Sequence, residues 1–183
     1  MGLMKKQSFT LIELLVSVSI IALILPALFA IFFTMMRQQV VLMAYHDMIR
    51  QGNSIANNMK NIIHTRALRV TDSTDPGTAI DICPIITSPT PTGFQSLVLL
   101  DTEDNAIVFS QEGASPNRIA SSSASKTYYL STGGVIINNL SFTCYRIRDN
   151  TAPVVQVSYT VNKSALYRDV ALPYTFTVRT RSN

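Results

Sequence analysis

The clearest pattern along the chain is a long apolar run that follows a short basic and polar stretch. Residues 14–36 carry no charged side chain over 23 consecutive positions. As an α-helix rising about 1.5 Å per residue, this run spans about 34 Å and can cross a hydrocarbon core of about 30 Å. Because a membrane-spanning backbone must satisfy its own polar groups, the run predicts a transmembrane helix over residues 9–36. Pro26 lies inside this segment and removes one backbone donor, which predicts a kink.

A single carboxylate, Glu13, lies at the leading edge of the apolar run. An ionisable group inside an apolar span is costly and needs a partner, unless it stays wet at the level of the lipid headgroups. A secretory signal peptide would have a shorter apolar core and a small-residue cleavage site after it. Residues 32–37, FFTMMR, do not resemble such a site. A plain membrane anchor fits the length of the run but leaves Glu13 unexplained.

Beyond the run, the apolar positions continue on one side of a helix only. They recur at spacings of three and four: Val41, Tyr45, Met48, Gly52, Ile55, Met59 and Ile62. This stripe predicts that residues 37–66 continue the helix and pack against the protein's own domain, with a coiled coil as the alternative. Gly52 weakens a helix by about 1 kcal/mol relative to Ala, so its presence indicates the close approach of a strand.

From residue 67 onward the pattern is that of strands and loops. Residues 71–91 are rich in Thr, Ser, Asp, Pro and Gly and predict a long loop, and residues 119–125 predict a serine-rich surface loop. Apolar or alternating segments predict strands at 96–100, 106–109, 126–130, 135–148, 154–161 and 174–179, with a hairpin turn at 101–105. Because the strands follow the helix instead of alternating with it, the fold class is predicted as α+β with an antiparallel sheet.

Residues 5–14, KKQSFTLIEL, closely resemble the processing motif of type IV pilin-like proteins. In that family a basic leader is removed on the cytoplasmic side, before the apolar segment. The resemblance implies cleavage by a prepilin peptidase between Ser8 and Phe9, methylation of the new N-terminus at Phe9, and a role for Glu13 in filament assembly. The family usually has Gly before the cut, where this chain has Ser8. The resulting division is a leader at 1–8, an assembly helix at 9–36, an amphipathic helix at 37–66 and an exported domain at 67–183.

The later strands resemble, more diffusely, the C-terminal half of J-type minor pseudopilins and W-type minor pilins. The segments that carry this second resemblance are residues 138–142, 154–161 and 176–183. It implies a structural subunit, a minor pilin or pseudopilin, of a type IV pilus-like or type II secretion filament. Its partners would be other pilin or pseudopilin subunits, the prepilin peptidase and the inner membrane. The N-terminus would be cytoplasmic, and the exported domain would later belong to a periplasmic or cell-surface filament.

Charge and cysteine content fit an exported chain. The formal net charge of +4 falls to +2 when Lys5 and Lys6 leave with the leader, which is too weak a bias to indicate nucleic acid. The two lysines favour a cytoplasmic location for their end of the span. Cys83 and Cys144 then lie in the exported part, where a disulfide can form, with two buried free thiols as the alternative.

The sequence offers little catalytic chemistry. His46 and His64 are eighteen residues apart, Cys83 and Cys144 lack CxxC partners, and no hydrolase, phosphate-loop or zincin motif occurs. The chain is therefore predicted to be no enzyme, with no cofactor and no metal. The densest carboxylate cluster, at 101–104, suits either calcium or, as we favour, a solvated turn.

Two alternative functions remain open from the sequence. A tip pilin that binds DNA or a surface ligand would use a patch of arginines and tyrosines on adjacent late strands. The residues in question are Arg146, Arg148, Arg168, Arg179, Arg181, Tyr145, Tyr159, Tyr167 and Tyr174. The other alternative is a membrane-anchored exported domain of different function.

Overall fold

The computed structural model describes residues 10–85, 93–113, 117–123, 126–148, 150–165 and 168–181. The described residues form one helix, α1 (Leu11–Arg66), followed by eight strands. This order confirms the α+β class predicted from the sequence. The chain divides into two units, Met1–Leu42 and Met43–Asn183, and α1 contributes to both.

In the first unit, the apolar part of α1 exposes its side chains on every side. All described residues as far as Val40 are exposed, including the large apolar ones. The helix is long and apolar enough to cross a membrane by length and composition. Polar side chains in this part bond back to the helix: the Ser19 hydroxyl donates to the Leu15 carbonyl at 2.8 Å, and that of Thr34 to Ile31 at 2.7 Å. Such internal satisfaction is what a segment surrounded by lipid requires.

The second unit contains the rest of α1 and two antiparallel sheets. The strands are β1 (Arg69–Thr71), β2 (Ser96–Leu100), β3 (Ala106–Glu112), β4 (Arg118–Ser123), β5 (Lys126–Tyr129), β6 (Ile136–Tyr145), β7 (Val154–Ala165) and β8 (Arg168–Arg179). The first five form one sheet in the order β1-β2-β3-β4-β5, and the last three form another in the order β6-β7-β8. The sequence predicted a single antiparallel sheet without this division. Every pairing between the named strands is antiparallel.

One face of α1 forms the centre of the core in the second unit. Met48, Ile55, Met59 and Ile63 are fully buried together with residues from both sheets. The buried face of α1 consists of Ala44, Met48, Gly52, Ile55, Ala56, Met59 and Ile63. The middle of the predicted stripe is therefore confirmed. At the ends Tyr45 is exposed and Ile62 is half-buried, because a 3.6-residue helix drifts away from a seven-residue repeat.

Two tyrosines of the three-stranded sheet hold α1 at Gly52. The Tyr159 hydroxyl donates to the Gly52 carbonyl at 2.8 Å, and the Tyr174 hydroxyl lies 3.3 Å from the Met48 carbonyl. The two rings stack with their centroids 5.3 Å apart. A β-carbon added at Gly52 would overlap the ring of Tyr174. The close approach predicted from Gly52 is confirmed, and the strand that approaches is β8.

The serine-rich segment predicted as a surface loop is instead strand β4. It pairs with β3 on one side and β5 on the other, so it lies inside the sheet. Ala120 and Ser121 are buried. Small side chains fit this crowded position, but they give no apolar alternation from which a strand could be predicted. Strand β8 is also longer than predicted, because its edge position allows Pro173.

Candidate functional site

The N-terminus of α1 is built around Thr10 and Glu13. Thr10 precedes the first helical residue, and its carbonyl oxygen accepts the backbone N–H of Glu13 at 3.1 Å and that of Leu14 at 3.3 Å. The Thr10 hydroxyl donates to the Glu13 carboxylate at 3.4 Å. Thr10 and Glu13 thus occupy the N-cap and N3 positions of a capping-box sequence. A carboxylate in the first turn also interacts favourably with the helix dipole, by about 0.3–1 kcal/mol.

The carboxylate of Glu13 is available for contacts outside the first turn of α1. Within residues 10–36 it is the one charged side chain, and it is exposed. Its backbone carbonyl accepts the Ser17 hydroxyl at 2.9 Å, so its main chain is satisfied within the helix. The side chain, in contrast, has a hydroxyl partner and no described cation beside it. The predicted cleavage and methylation residues, Ser8 and Phe9, lie outside the described residues. Pro26 lies within α1 as predicted, and its kink stays a prediction.

The predicted disulfide is present. Cys83 and Cys144 are bonded, and the bridge ties the long loop after β1 to strand β6. Beside it, Arg146 forms an ion pair with Asp81, and the Arg146 backbone N–H donates to the Pro84 carbonyl at 2.8 Å. A covalent bond, an ion pair and a backbone hydrogen bond therefore fix this loop, all within two residues of Cys83.

The carboxylate cluster at 101–104 forms the β2–β3 turn. Asp101 accepts the backbone N–H groups of Glu103 at 2.8 Å and Asn105 at 2.9 Å, while Asp104, in the left-handed region at φ 60°, pairs with Arg69 at 3.1 Å. Burial pushes the pKa of Asp101 upward, but the N–H groups of Asn105 and Glu103 outweigh it, so the pKa is lowered overall. The carboxylates thus serve the turn. No three His, Cys, Asp or Glu side chains converge as metal ligands in the described part of the chain.

Two of the tyrosines considered for nucleic-acid stacking pack against α1 instead. Tyr159 is buried, and Tyr174 is half-buried against α1. Burial, with a smaller contribution from Tyr174, raises the pKa of Tyr159. Burial and nearby Tyr45 raise the pKa of Tyr174. The structure buries Tyr159 together with Val155, Val157 and Val161 of β7, and its ring stacks on Tyr174, so the predicted nucleic-acid surface loses both tyrosines.

Only some of the other candidates for the basic patch are exposed in the described part of the chain. Arg148, Arg179 and Arg181 are exposed, whereas Arg146 is engaged with Asp81. Tyr145 is half-buried, and Tyr167 and the side chain of Arg168 lie outside the described residues. The described part of the proposed DNA surface is therefore three exposed arginines with no exposed tyrosine among the candidates.

Sequence reasoning missed two functional contributors. Thr10 was detectable, because a threonine three residues before a glutamate at the start of an apolar run is a capping signal. The pairing of Tyr159 and Tyr174 with helix carbonyls was not, because it depends on how the sheet lies on the helix.

The comparisons with known proteins found one similarity, and it covers the N-terminal segment that contains Thr10 and Glu13. Residues 3–25 match the family model of the prokaryotic N-terminal methylation motif, the prepilin signature of type IV pilin-like proteins. Neither a curated protein nor a solved structure matches the chain. The chain thus carries a prepilin-type signature at the start of an apolar helix, followed by an α+β layout consistent with a pilin-like fold.

Proposed function

We propose that this chain is a minor pilin or pseudopilin, a structural subunit of a type IV pilus-like or type II secretion filament. The observation that carries the proposal is the methylation motif at residues 3–25, which runs directly into an exposed apolar helix. A helix that is apolar on all sides suits lipid first and other subunits later, since both surround it with apolar groups. Other pilin subunits and a prepilin peptidase are the partners that such a motif implies.

Processing supplies the switch for assembly in this proposal. Cleavage between Ser8 and Phe9 turns an uncharged peptide nitrogen into a cationic amino group. When helices pack together, the Glu13 carboxylate leaves water and needs a stronger partner than the Thr10 hydroxyl. The methylated amino group of Phe9 on a neighbouring subunit provides that partner, and the pair sets the axial register between subunits. The contact between Thr10 and Glu13 belongs to the unassembled subunit.

Membrane placement follows from the same features. The apolar helix holds the unassembled subunit in the inner membrane as a single-pass protein, with the lysine-bearing end cytoplasmic. The Cys83–Cys144 disulfide supports the export of the second unit, because such bonds persist in oxidising compartments.

Mass spectrometry of the N-terminus of the chain purified from native membranes tests the processing step. We expect a chain that begins at methylated Phe9. Ser8→Gly restores the usual residue before the cut and is expected to process at least as fully. Ser8→Lys places a large charged side chain there and is expected to block processing. Retention of residues 1–8 by the natural chain would overturn the proposed cleavage and with it the assembly switch.

Filament incorporation of Glu13→Gln tests the assembly step, because the amide keeps the shape and removes the charge. We expect normal membrane levels and processing, with at least about a tenfold loss of incorporation, since one charged pair contributes about 1.5–3 kcal/mol. Glu103→Gln, an exposed change in the β2–β3 turn, is the matched control and should assemble normally. Full incorporation of Glu13→Gln would refute the role given to this carboxylate.

A further inference from the structure

Each sheet of the second unit ends in a strand that has a neighbouring strand on one side only. These strands are β5, which pairs with β4, and β8, which pairs with β7. At the other ends of the two sheets, β1 is bridged to Asp81 and β6 to Phe94. An open edge presents a row of unpaired N–H and C=O groups that can pair with another strand. Within the residues that the structure describes, β5 and β8 are therefore the candidates for pairing with a second chain.

On β5 the edge-facing backbone groups belong to Thr127 and Tyr129. The Leu130 N–H donates to the Ile119 carbonyl at 2.9 Å, so the even-numbered residues of β5 face β4. Because successive residues of an antiparallel strand alternate in direction, Thr127 and Tyr129 direct both their N–H and C=O groups outward. Both residues are exposed, and no other described residue bonds to these groups. β5 thus offers two donors and two acceptors in a row.

On β8 the odd-numbered residues face the open edge. The Thr180 N–H donates to the Pro153 carbonyl at 2.9 Å on the β7 side, whereas the Arg179 carbonyl lies 3.2 Å from His64 on the opposite side. Pro173 also faces the edge, where its missing N–H removes no bond to β7. The edge-facing residues of β8 that keep both backbone groups open are Asp169, Ala171, Thr175 and Thr177.

Strand β8 runs in the same direction as α1. Its residue Tyr174 lies against Met48, with the hydroxyl 3.3 Å from the Met48 carbonyl. Its later residue Arg179 lies against His64, near the end of α1. The open edge of β8 therefore runs toward the C-terminal end of the helix.

Strand β5 runs the other way. The turn into β3 follows Leu100, which accepts the Leu68 N–H just past the end of α1. β3 ends near Gln111, whose side chain donates to the Ile137 carbonyl of β6 at 3.3 Å. Through β7, Ile137 aligns with Leu172, in the first half of β8. β3 therefore runs against β8, and β5 shares the direction of β3 because two antiparallel pairings separate them.

This opposition of the two edges matters for copies that share one orientation. Chains inserted in one membrane, or stacked in one filament, all point the same way, a condition that rests on the proposed function. The β5 edge of one copy and the β8 edge of the next then meet as antiparallel strands. A contact between two different surfaces is heterologous, and it continues from copy to copy instead of closing as a twofold dimer does.

We propose that β5 of one copy pairs with β8 of a second copy of this chain. Thr127 lies opposite Thr177 of that copy and Tyr129 lies opposite its Thr175, and each pair exchanges two backbone hydrogen bonds. Threonine and aromatic side chains opposite one another add favourable cross-strand contacts. Four backbone bonds form a small interface, so the pairing belongs to copies that a membrane or filament already holds together.

The other registers of this pairing are less favourable. A shift by two residues places Tyr129 opposite Pro173, which has no N–H to donate. A larger shift places Thr127 opposite Ala171 and Tyr129 opposite Asp169. The Tyr129 hydroxyl already donates to the Glu112 carboxylate at 2.8 Å, so that register brings a second carboxylate toward the first.

Cysteine crosslinking between two differently tagged full-length chains in one membrane tests the pairing. One chain carries Thr127→Cys and the other Thr177→Cys, and the native cysteines are already bonded to each other. Directly opposite Cα atoms lie about 4.5–5.5 Å apart, within disulfide range, whereas diagonal ones lie about 7–8 Å apart. Tyr129→Cys with Thr175→Cys is the second matched pair. Thr127→Cys with Thr175→Cys and Thr127→Cys with Ala171→Cys are the mismatched controls.

We expect each matched pair to crosslink at least about tenfold more than either mismatched pair, because a disulfide tolerates little extra distance. Thr177→Pro should lower the crosslinking of Tyr129→Cys with Thr175→Cys by about three- to tenfold, the effect of one lost hydrogen bond. Like Pro173, this proline faces the open edge, so β8 keeps its bonds to β7. Thr177→Ala keeps the backbone N–H and is the matched control, and an intact Cys83–Cys144 bond in each variant confirms folding.

The pairing would be overturned if neither matched pair crosslinked, if the mismatched pairs crosslinked equally well, or if Thr177→Pro had no effect. It requires only copies of one orientation, so the matched crosslinks should also form in Glu13→Gln chains held in the membrane. Their absence would leave the role of Glu13 in assembly standing. Their presence together with full filament incorporation of Glu13→Gln would refute that role and leave the pairing standing.

Discussion

Replacement of Gly52 by alanine should destabilise the second unit, which is the opposite of what helix propensity predicts. In a helix interior, alanine is favoured over glycine by about 1 kcal/mol. Here the new methyl group would overlap the ring of Tyr174. The sign of the change in unfolding free energy therefore decides between local propensity and tertiary packing.

The size of the expected destabilisation follows from the contacts that Tyr174 would lose. Its ring stacks on Tyr159 with an interplanar angle of 10°, and its hydroxyl lies 3.3 Å from the Met48 carbonyl. Forcing an extra methyl group into such a contact costs about 1–3 kcal/mol. After subtraction of the propensity gain, we expect a net loss of about 1 kcal/mol.

Urea unfolding of the full-length chain in nanodiscs, followed by near-ultraviolet circular dichroism, measures this change. Gly52→Ala should lower the midpoint. In a Tyr174→Ala background the same substitution should raise it, because the obstructing ring is gone. The coupling between the two positions should amount to about 2 kcal/mol. Gly93→Ala, where an added β-carbon meets no atom within 4 Å, is the control.

A stabilising effect of Gly52→Ala in the natural background would refute the reasoning, because the Tyr174 ring would then move aside without a loss of unfolding free energy. A destabilisation that persists unchanged without the Tyr174 ring would refute it as well, since the cause would have to lie within the helix.

Two further predictions concern other bonds of the second unit. Replacement of both Cys83 and Cys144 by alanine should cost about 4 kcal/mol in the chain-entropy account of a crosslink that spans 61 residues, and an unchanged urea midpoint would contradict it. Asp47 accepts a hydrogen bond from Lys163 at 2.6 Å, which lowers the pKa of its carboxyl group. Its contribution is therefore present above about pH 4 and is lost as the pH falls through the lowered folded pKa. Asp47→Asn and Lys163→Met should each flatten this acid limb of a stability–pH profile, and an acid limb that both variants leave unchanged would exclude the pair as its cause.

The helix and the strand interiors were predictable because their patterns are periodic. The 23-residue uncharged run and the stripe through Met48 and Met59 have the spacing of one long helix, and Val155 to Val161 alternate as a half-buried strand does. The disulfide was favoured because the chain has two cysteines and both lie in the part predicted to be exported. These features depend on local composition or on one long-range constraint, so a single sequence contains enough information to predict them.

The division into two sheets was not predictable from these patterns. Strand β4 consists largely of serine and alanine, and its burial comes from neighbours on both sides instead of from its own side chains. The irregularity in β6 depends on Asn139, which lies in a left-handed conformation where β6 loses register with β7. A single asparagine carries no periodic signal, so this irregularity follows from tertiary arrangement alone.

In the export route proposed for this chain, the Cys83–Cys144 bridge also imposes an order on the steps of folding. The segment after the apolar helix crosses the membrane first, so Cys83 emerges while its partner is still 61 residues behind. During that interval the loop, β2 and the rest of the five-stranded sheet come out before the bond can close. An oxidase that acts early would find one thiol and no native partner, so correct pairing waits for β6. The five strands of the first sheet are therefore exported before the disulfide forms. Strands β7 and β8 follow, and they complete a domain in which the disulfide already joins the loop after β1 to β6.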